Sequence, residues 1–87
     1  MEFEWDDAKR LSNLAKHGLD FADVERLDWA NAVTIADLRF HYGEERFQAF
    51  SWFEGQLLQV TFTVREGVFR LVSFRRASRK ERIRHGR

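Results

Sequence analysis

Residues 46–76 read RFQAFSWFEGQLLQVTFTVREGVFRLVSFRR, and this stretch decides the fold. Three β-rich runs, at 46–53, 57–65 and 68–75, are separated by two short breaks that each contain Glu-Gly. Glycine supplies the positive φ that a tight hairpin turn requires. The stretch therefore predicts three consecutive antiparallel strands.

The middle run alternates between apolar and polar side chains with the period of a strand. From Leu58 to Arg65, leucine, valine and phenylalanine fall on one side, and glutamine, threonine and arginine fall on the other. One face of the predicted sheet should therefore pack against helices. The opposite face is polar enough to bind a ligand.

The first half of the chain predicts two helices. Asp6 can cap a first helix over residues 7–17, which Gly18 would end. Asp20 can cap a second helix that ends near residue 28. The apolar residues expected to face the core are Ala8, Leu11, Leu14 and Ala15 in the first helix and Phe21, Val24 and Leu27 in the second.

Short strands are predicted at residues 2–5 and 32–36, the latter at a sheet edge. Ser78 and Glu81 have the spacing of a capping box, which predicts a short basic C-terminal helix anchored by Ile83. The element order is then β-α-α-β-β-β-β-α. It predicts an α+β fold with helices on one face of an antiparallel sheet.

The charge of the chain is strongly polarised although its net value is only +1. Residues 1–45 contain eleven acidic and five basic side chains, whereas residues 65–87 contain nine basic and two acidic ones. A basic surface of this density attracts phosphates and polyanions. A solvated basic helix face without a ligand is the alternative explanation.

Length and composition narrow the class of protein. A chain of 87 residues predicts one domain, and 44% apolar content with nine phenylalanines is sufficient for a packed core. No cysteine is present, and the three histidines lack the spacing of metal ligands, so we expect neither a metal nor another cofactor. An acidic N-terminus and the lack of a long apolar stretch favour a cytoplasmic protein without a membrane segment.

Four blocks, FEWD at 3–6, NLAKHGLDF at 13–21, GEERF at 43–47 and RLVSFRRASRKER at 70–82, together resemble the BrnT family of toxins. The resemblance extends over essentially the whole chain. It implies a RelE-like fold and a ribonuclease that arrests growth within a type II toxin-antitoxin module. It also implies a BrnA-like ribbon-helix-helix antitoxin as partner, with operator DNA bound only through the toxin-antitoxin complex.

Cleavage of RNA without a metal requires cations for the phosphate, a base for the 2′-hydroxyl and an acid for the departing oxygen. Arginine matches phosphate oxygens, so Arg46, Arg65 and Arg75 are the leading catalytic candidates. Glu45 is a candidate base, and His85 is a candidate acid on a flexible tail. The candidates for contacting RNA or its phosphates are Lys16, His17, Arg70, Arg76, Arg79 and Lys80.

Structural alternatives remain open for several of these residues. Arg75 could simply pair with Glu81, and Arg46 or Glu45 could form structural ion pairs. Arg65 could be a solvated hairpin charge, and His17 could serve only to end a helix.

Other polar and aromatic residues have roles that the sequence does not decide. His41 is a further proton-transfer candidate. Phe50 and Trp52 could stack on bases, although we expect them in the core. Phe74 occupies a position where BrnT relatives have a small residue, which predicts bulk beside the site.

Three functions are consistent with the sequence. The first is a ribonuclease that acts on mRNA, with dependence on the ribosome left open. The second is a binding module that docks the antitoxin and helps to repress the operon without cutting RNA. The third is an α+β domain whose charges only confer solubility.

Overall fold

The computed structural model describes residues 1–38 and 43–86. Its elements are β1 (Glu2–Glu4), α1 (Asp7–His17), two 3₁₀ helices (Phe21–Arg26 and Trp29–Asn31), β2 (Val33–Ala36), β3 (Arg46–Phe53), β4 (Gln56–Arg65), β5 (Val68–Arg76) and α2 (Arg79–His85). The predicted α+β class is confirmed. None of the described helices is long and apolar enough to cross a membrane.

The strands form one sheet with the order β1-β5-β4-β3-β2. Strands β2 to β5 are antiparallel neighbours, and β2 lies at the edge as predicted. The prediction of a wholly antiparallel sheet is wrong for β1, which pairs parallel to β5. No hairpin joins β1 to β5, so the turn geometry that dictates antiparallel pairing elsewhere does not act on this pair.

Two-residue Glu-Gly turns connect the three long strands. In the first turn Glu54 and Gly55 have φ values of 50° and 77°, and in the second Glu66 and Gly67 have 51° and 79°. Positive φ at both central residues matches the twist of the flanking strands. The two breaks in the sequence therefore form the predicted hairpins.

A β-bulge in β5 determines which side chains reach each face of the sheet. Thr61 is opposite Ser73 and Phe62 is opposite Leu71, so Val72 is an extra residue without a partner. The extra residue shifts the alternation by one position, which turns Phe74 into the core. The prediction that Phe74 adds bulk beside the site is therefore wrong.

The core lies on the face of the sheet covered by α1 and the first 3₁₀ helix, which we call the core face. Nine side chains form its buried cluster: Phe21, Val24, Leu27, Ala49, Leu58, Val60, Phe62, Leu71 and Phe74. The alternation predicted for β4 is confirmed, because Gln59, Thr61 and Thr63 lie on the opposite face. We call that opposite surface the polar face.

The predicted second α-helix forms two 3₁₀ helices instead. Asp20 caps the first, since its side chain accepts a hydrogen bond from the backbone N–H of Ala22. The buried residues Phe21, Val24 and Leu27 recur at a strict spacing of three. A period of three aligns side chains on one face of a 3₁₀ helix, whereas an α-helix needs 3.6 residues per turn.

The predicted orientation of α1 is also wrong. Leu11 and Leu14 are exposed, and the one buried residue of the helix is Asn13. The helix begins and ends as expected, with Asp6 accepting from the N–H of Lys9 and Gly18 in the left-handed region. Its orientation follows from hydrogen bonds made by Asn13, which an apolar pattern does not reveal.

The C-terminal helix α2 lies across the polar face. Its capping box is formed, since Ser78 and Glu81 exchange side-chain and backbone hydrogen bonds. Ile83 is 74% exposed and does not anchor the helix. Glu81 binds Arg75 on β5, and His85 stacks on Phe50 of β3 with ring centroids 4.3 Å apart.

Candidate functional site

A cationic cleft of about 210 Å³ lies between α1 and β5, where the two motif blocks NLAKHGLDF and RLVSFRRASRKER meet. Its lining residues are Lys9, Ser12, Asn13, Lys16, His17, Val72 and Ser73. The lining combines two ammonium groups, an imidazole and two hydroxyls, with no carboxylate. Such a set of donors suits a phosphate group. We call this feature the α1–β5 cleft.

Asn13 fixes the position of α1 against β5. Its Nδ2 donates to the carbonyl oxygen of Phe74 at 2.8 Å, and the N–H of Phe74 donates to its Oδ1 at 3.0 Å. The amide thus replaces the neighbouring strand that β5 lacks here, because the pairing of β1 stops at Arg70. This contact places Lys16 and His17 beside Ser73.

His17 is the last residue of α1 and is half-buried in the cleft. Burial lowers the pKa of its imidazole below the ordinary 6.5, and the positive charges of Lys16, Arg75 and Arg76 lower it further. The backbone carbonyl of His17 also accepts a hydrogen bond from Arg76 at 3.0 Å. His17 therefore ends the helix and also supplies a titratable group beside three cations. When its imidazole is protonated, it adds a fourth positive charge for a bound anion.

Arg75 is held firmly next to the cleft. Its guanidinium donates to both carboxylate oxygens of Glu81, at 2.8 and 3.1 Å, and to the carbonyl of Arg76 at 3.1 Å. Hydrogen bonds from Arg75 lower the pKa of Glu81 to about 2. An arginine has five N–H donors, so the Nε donor and one Nη2 donor of Arg75 remain for a ligand.

The other predicted catalytic arginines lie at the far end of the polar face. Arg65 forms a two-pronged ion pair with Glu44, at 2.8 and 3.1 Å, and hydrogen bonding from Arg65 lowers the pKa of Glu44. Arg70, which was predicted to contact RNA phosphates, lies there too and forms an ion pair with Glu4 at 3.4 Å. The length of β5 from Arg70 to Arg75 is about 15 Å at the usual rise per residue. The predicted catalytic residues therefore do not form one group.

Arg46 and Glu45 lie with the far group. Arg46 is opposite Thr63 on β4, and Thr63 is opposite Arg70 on β5. Glu45 is exposed at the start of this region. Neither side chain lies among those that line the α1–β5 cleft.

His85 is part of α2 and not of a flexible tail, so that prediction is wrong. Its ring stacks on Phe50, two strands away from Arg75 in the sheet. Arg79 and Lys80, predicted to contact RNA, are exposed in the first turn of α2. The helix therefore carries positive charge from the cleft toward β3.

The cations differ in whether a protein partner already engages them. Arg10, Arg26, Arg65, Arg70 and Arg75 form ion pairs. Within residues 1–38 and 43–86, the lysine and arginine side chains that form no ion pair or hydrogen bond are Lys9, Lys16, Arg79, Lys80 and Arg84. All five belong to α1 and α2, so the available positive charge lies along these two helices.

Sequence reasoning missed Lys9, Ser12 and Ser73 as cleft residues, and it missed the role of Asn13. The spacing of Lys9, Ser12 and Lys16 indicates that they share one face of a helix, and this pattern could have identified them. The contact between Asn13 and Phe74 joins residues 61 positions apart, so no local pattern reveals it. Predicted residue His41 lies outside the described residues.

The prediction for the two aromatic residues of β3 is half right. Phe50 is buried, as expected, but Trp52 is 44% exposed. Trp52 is therefore available to a ligand.

The fold and the cleft define a small α+β domain with a cationic surface suited to a polyanion. Residues 5–81 match the family described as "ribonuclease toxin, BrnT, of type II toxin-antitoxin system". The match extends over most of the chain, and the chain belongs to this family. No curated protein matches it. Family membership identifies the chain as a ribonuclease toxin with RNA as substrate and an antitoxin as partner.

Proposed function

We propose that this toxin cleaves mRNA in the α1–β5 cleft without a metal ion and thereby inhibits translation and growth. The observation that carries the proposal is the meeting of Lys16 and His17 with Ser73 and Arg75, which come from opposite ends of the chain. A scissile phosphate bound here would be near cations on two sides. Preorganised donors of this kind stabilise the extra negative charge of the transition state.

Arg75 is the residue we propose for transition-state stabilisation. The bond to Glu81 fixes the guanidinium before the substrate arrives, so little side-chain freedom is lost on binding. The lining supports a mechanism without metal, because Mg²⁺ prefers carboxylate and other oxygen ligands and the cleft offers ammonium and imidazole groups.

His17 is the group we propose for proton transfer. It is the titratable side chain in the lining whose neutral form is favoured near pH 7, as a general base requires. In this scheme His17 accepts the proton of the 2′-hydroxyl and the 2′-oxygen attacks the adjacent phosphorus to form a 2′,3′-cyclic phosphate. The bond from phosphorus to the 5′-oxygen breaks, and the departing 5′-oxygen takes its proton from solvent water. This assignment replaces Glu45 and His85 as the proposed acid-base residues.

The test is cleavage of bulk cellular RNA in excess EDTA by the native protein, Arg75→Ala and Glu81→Gln. We expect the native protein to cut and Arg75→Ala to be slower by a factor of about 10² to 10³. Glu81→Gln is the matched control, because it removes the same ion pair but keeps the guanidinium, and we expect it to retain activity within about tenfold.

Equal losses in Arg75→Ala and Glu81→Gln would show that Arg75 acts only through α2. Cleavage that requires added Mg²⁺ would contradict the metal-free mechanism. Circular dichroism before each assay ensures that only folded variants are compared.

A second candidate function is antitoxin docking with co-repression of the operon, which an open apolar groove of about 350 Å³ on the core face supports. Its lining residues are Met1, Trp29, Thr34, Phe47, Phe62 and Phe69. We propose a BrnA-like ribbon-helix-helix antitoxin as the partner. Growth arrest when this protein is expressed, relieved by co-expression of an adjacent ribbon-helix-helix gene, would support the ribonuclease toxin. Repression of the operon without any toxicity would favour antitoxin docking alone.

A further inference from the structure

A second pocket, of about 270 Å³, lies on the other side of α2 from the cleft. Its lining residues are Asn31, Val33, Phe50, Trp52, Leu57, Arg84 and His85. No residue lines both cavities. The reaction proposed above uses none of the residues in this second pocket, which we call the Trp52 pocket.

The walls of the Trp52 pocket suit a planar ring. Trp52 is 44% exposed, an unusual state for the largest side chain on a small domain. Beside it, the rings of Phe50 and His85 stack with centroids 4.3 Å apart and planes inclined by 27°. The buried cluster of Phe50, Leu57 and Ala77 gives the pocket a rigid apolar floor.

The rim of the Trp52 pocket supplies polar groups. The amide nitrogen of Asn31 donates to Asp28 at 2.8 Å, which leaves the Asn31 carbonyl oxygen to accept an N–H from a ligand. Arg84 forms no ion pair with any residue in the described ranges 1–38 and 43–86, so its guanidinium is available to a phosphate. An exposed aromatic ring next to a cation is the usual combination for holding single-stranded nucleic acid.

The position of the pocket relates it to the cleft. Helix α2 crosses the polar face from Arg75 on β5 to Phe50 on β3, and these residues share Gln59 as their neighbour on β4. Two strand spacings separate them, which is about 10 Å. Arg79 and Lys80 extend the positive charge of α2 between the two sites.

We propose that the Trp52 pocket binds a base of a single-stranded RNA whose scissile phosphate lies in the α1–β5 cleft. The base stacks on Trp52, Arg84 contacts its phosphate, and Asn31 accepts a hydrogen bond from the base edge. This inference rests on the proposed function, since it assigns a recognition subsite for the same substrate. It implies that the enzyme engages a strand longer than the two nucleotides that are cut apart.

The test measures binding of an eight-nucleotide 2′-O-methyl RNA, which lacks the attacking hydroxyl and stays intact. We expect Trp52→Ala to weaken binding about tenfold, and Trp52→Phe to remain within about threefold because phenylalanine still stacks. Val64→Ala is the matched control, since Val64 is 43% exposed at the end of β4. The native protein should show tryptophan fluorescence quenching on binding, and Trp52→Phe should lose most of it.

The base pocket would be overturned if Trp52→Ala bound the RNA with native affinity and Trp52→Phe still showed the native fluorescence quenching. The proposed function would stand in that case, provided that the native protein still cleaved RNA. Failure of the native protein to bind or cut RNA would overturn both. Loss of antitoxin binding but not of RNA binding in Trp52→Ala would identify the pocket as a protein-docking site and overturn the proposal. If Trp52→Ala does not fold, Arg84→Ala tests the same subsite, with a loss of about threefold or more expected.

Discussion

The two ends of the polar face differ in what their cations can do. At the far end, Arg65 and Arg70 are neutralised by Glu44 and Glu4. At the near end, Lys16 has no partner among the described residues, and Arg75 keeps two donors although it binds Glu81. The comparison teaches that ion pairing with carboxylates, more than the density of basic residues along the chain, decides where an anion can bind.

Asn13→Ala should give the largest change in stability, because the Asn13 side chain holds α1 against β5 through hydrogen bonds to the backbone of Phe74. The variant removes three hydrogen bonds, one of them to the carbonyl of Leu19, and leaves the buried N–H and C=O of Phe74 without partners. We expect the free energy of unfolding to fall by about 2–4 kcal/mol, measured by urea denaturation. Ser12→Ala, one position away and exposed, is the control and should change it by less than about 0.5 kcal/mol. Equal stability of the two variants would show that α1 is held by other contacts.

The pH dependence of RNA binding should identify His17 as part of the cleft. A bound phosphate favours the imidazolium form and therefore raises the lowered pKa of His17. Binding then takes up a proton, so affinity should rise about fivefold as the pH falls from about 7.5 to about 5.5. In His17→Gln this dependence should be flat, as measured by fluorescence anisotropy with a labelled 2′-O-methyl RNA. An identical pH profile in the variant would remove His17 from the site.

The same shift affects stability in the opposite direction. Because the unfolded chain binds the proton more readily than the folded protein, stability contributed by neutral His17 is present above pH 6.5 and is lost as the pH falls through that value. The binding series therefore needs a parallel check that the protein stays folded at each pH.

Arg65→Ala should have the smallest effect. Its pair with Glu44 is half exposed and screened by solvent, so we expect the free energy of unfolding to change little. RNA cleavage should remain within about threefold of native in the same preparation. A loss of cleavage approaching that of Arg75→Ala would move the site to the far end and contradict the comparison.

Local chemistry made the strands and turns predictable. The Glu-Gly breaks required hairpins, Asp6 and Gly18 bounded α1, and Ser78 with Glu81 started α2. Each of these features depends on residues a few positions apart. Sequence patterns describe interactions at that range well.

Interactions between distant residues were not predictable in the same way. The bulge at Val72 turned Phe74 inward, and the amide of Asn13 oriented α1 against the apolar pattern of its leucines. Lys16, His17, Arg75 and Arg76 were all candidates from the sequence, but the sequence alone did not show that α1 brings Lys16 and His17 next to β5. The distance between Arg65 and Arg75 also depends on the register of the sheet, and the number of charges along the sequence gives no information about that register.

The most direct test of the central claim is an NMR titration of the ¹⁵N-labelled native protein with a 2′-O-methyl RNA. We predict that the backbone amide shifts will be largest at His17, Ser73 and Arg76, around the α1–β5 cleft. Amides at Glu44 and Thr63 should change little. Shifts concentrated at Glu44 and Thr63, with His17 and Ser73 unperturbed, would contradict the account.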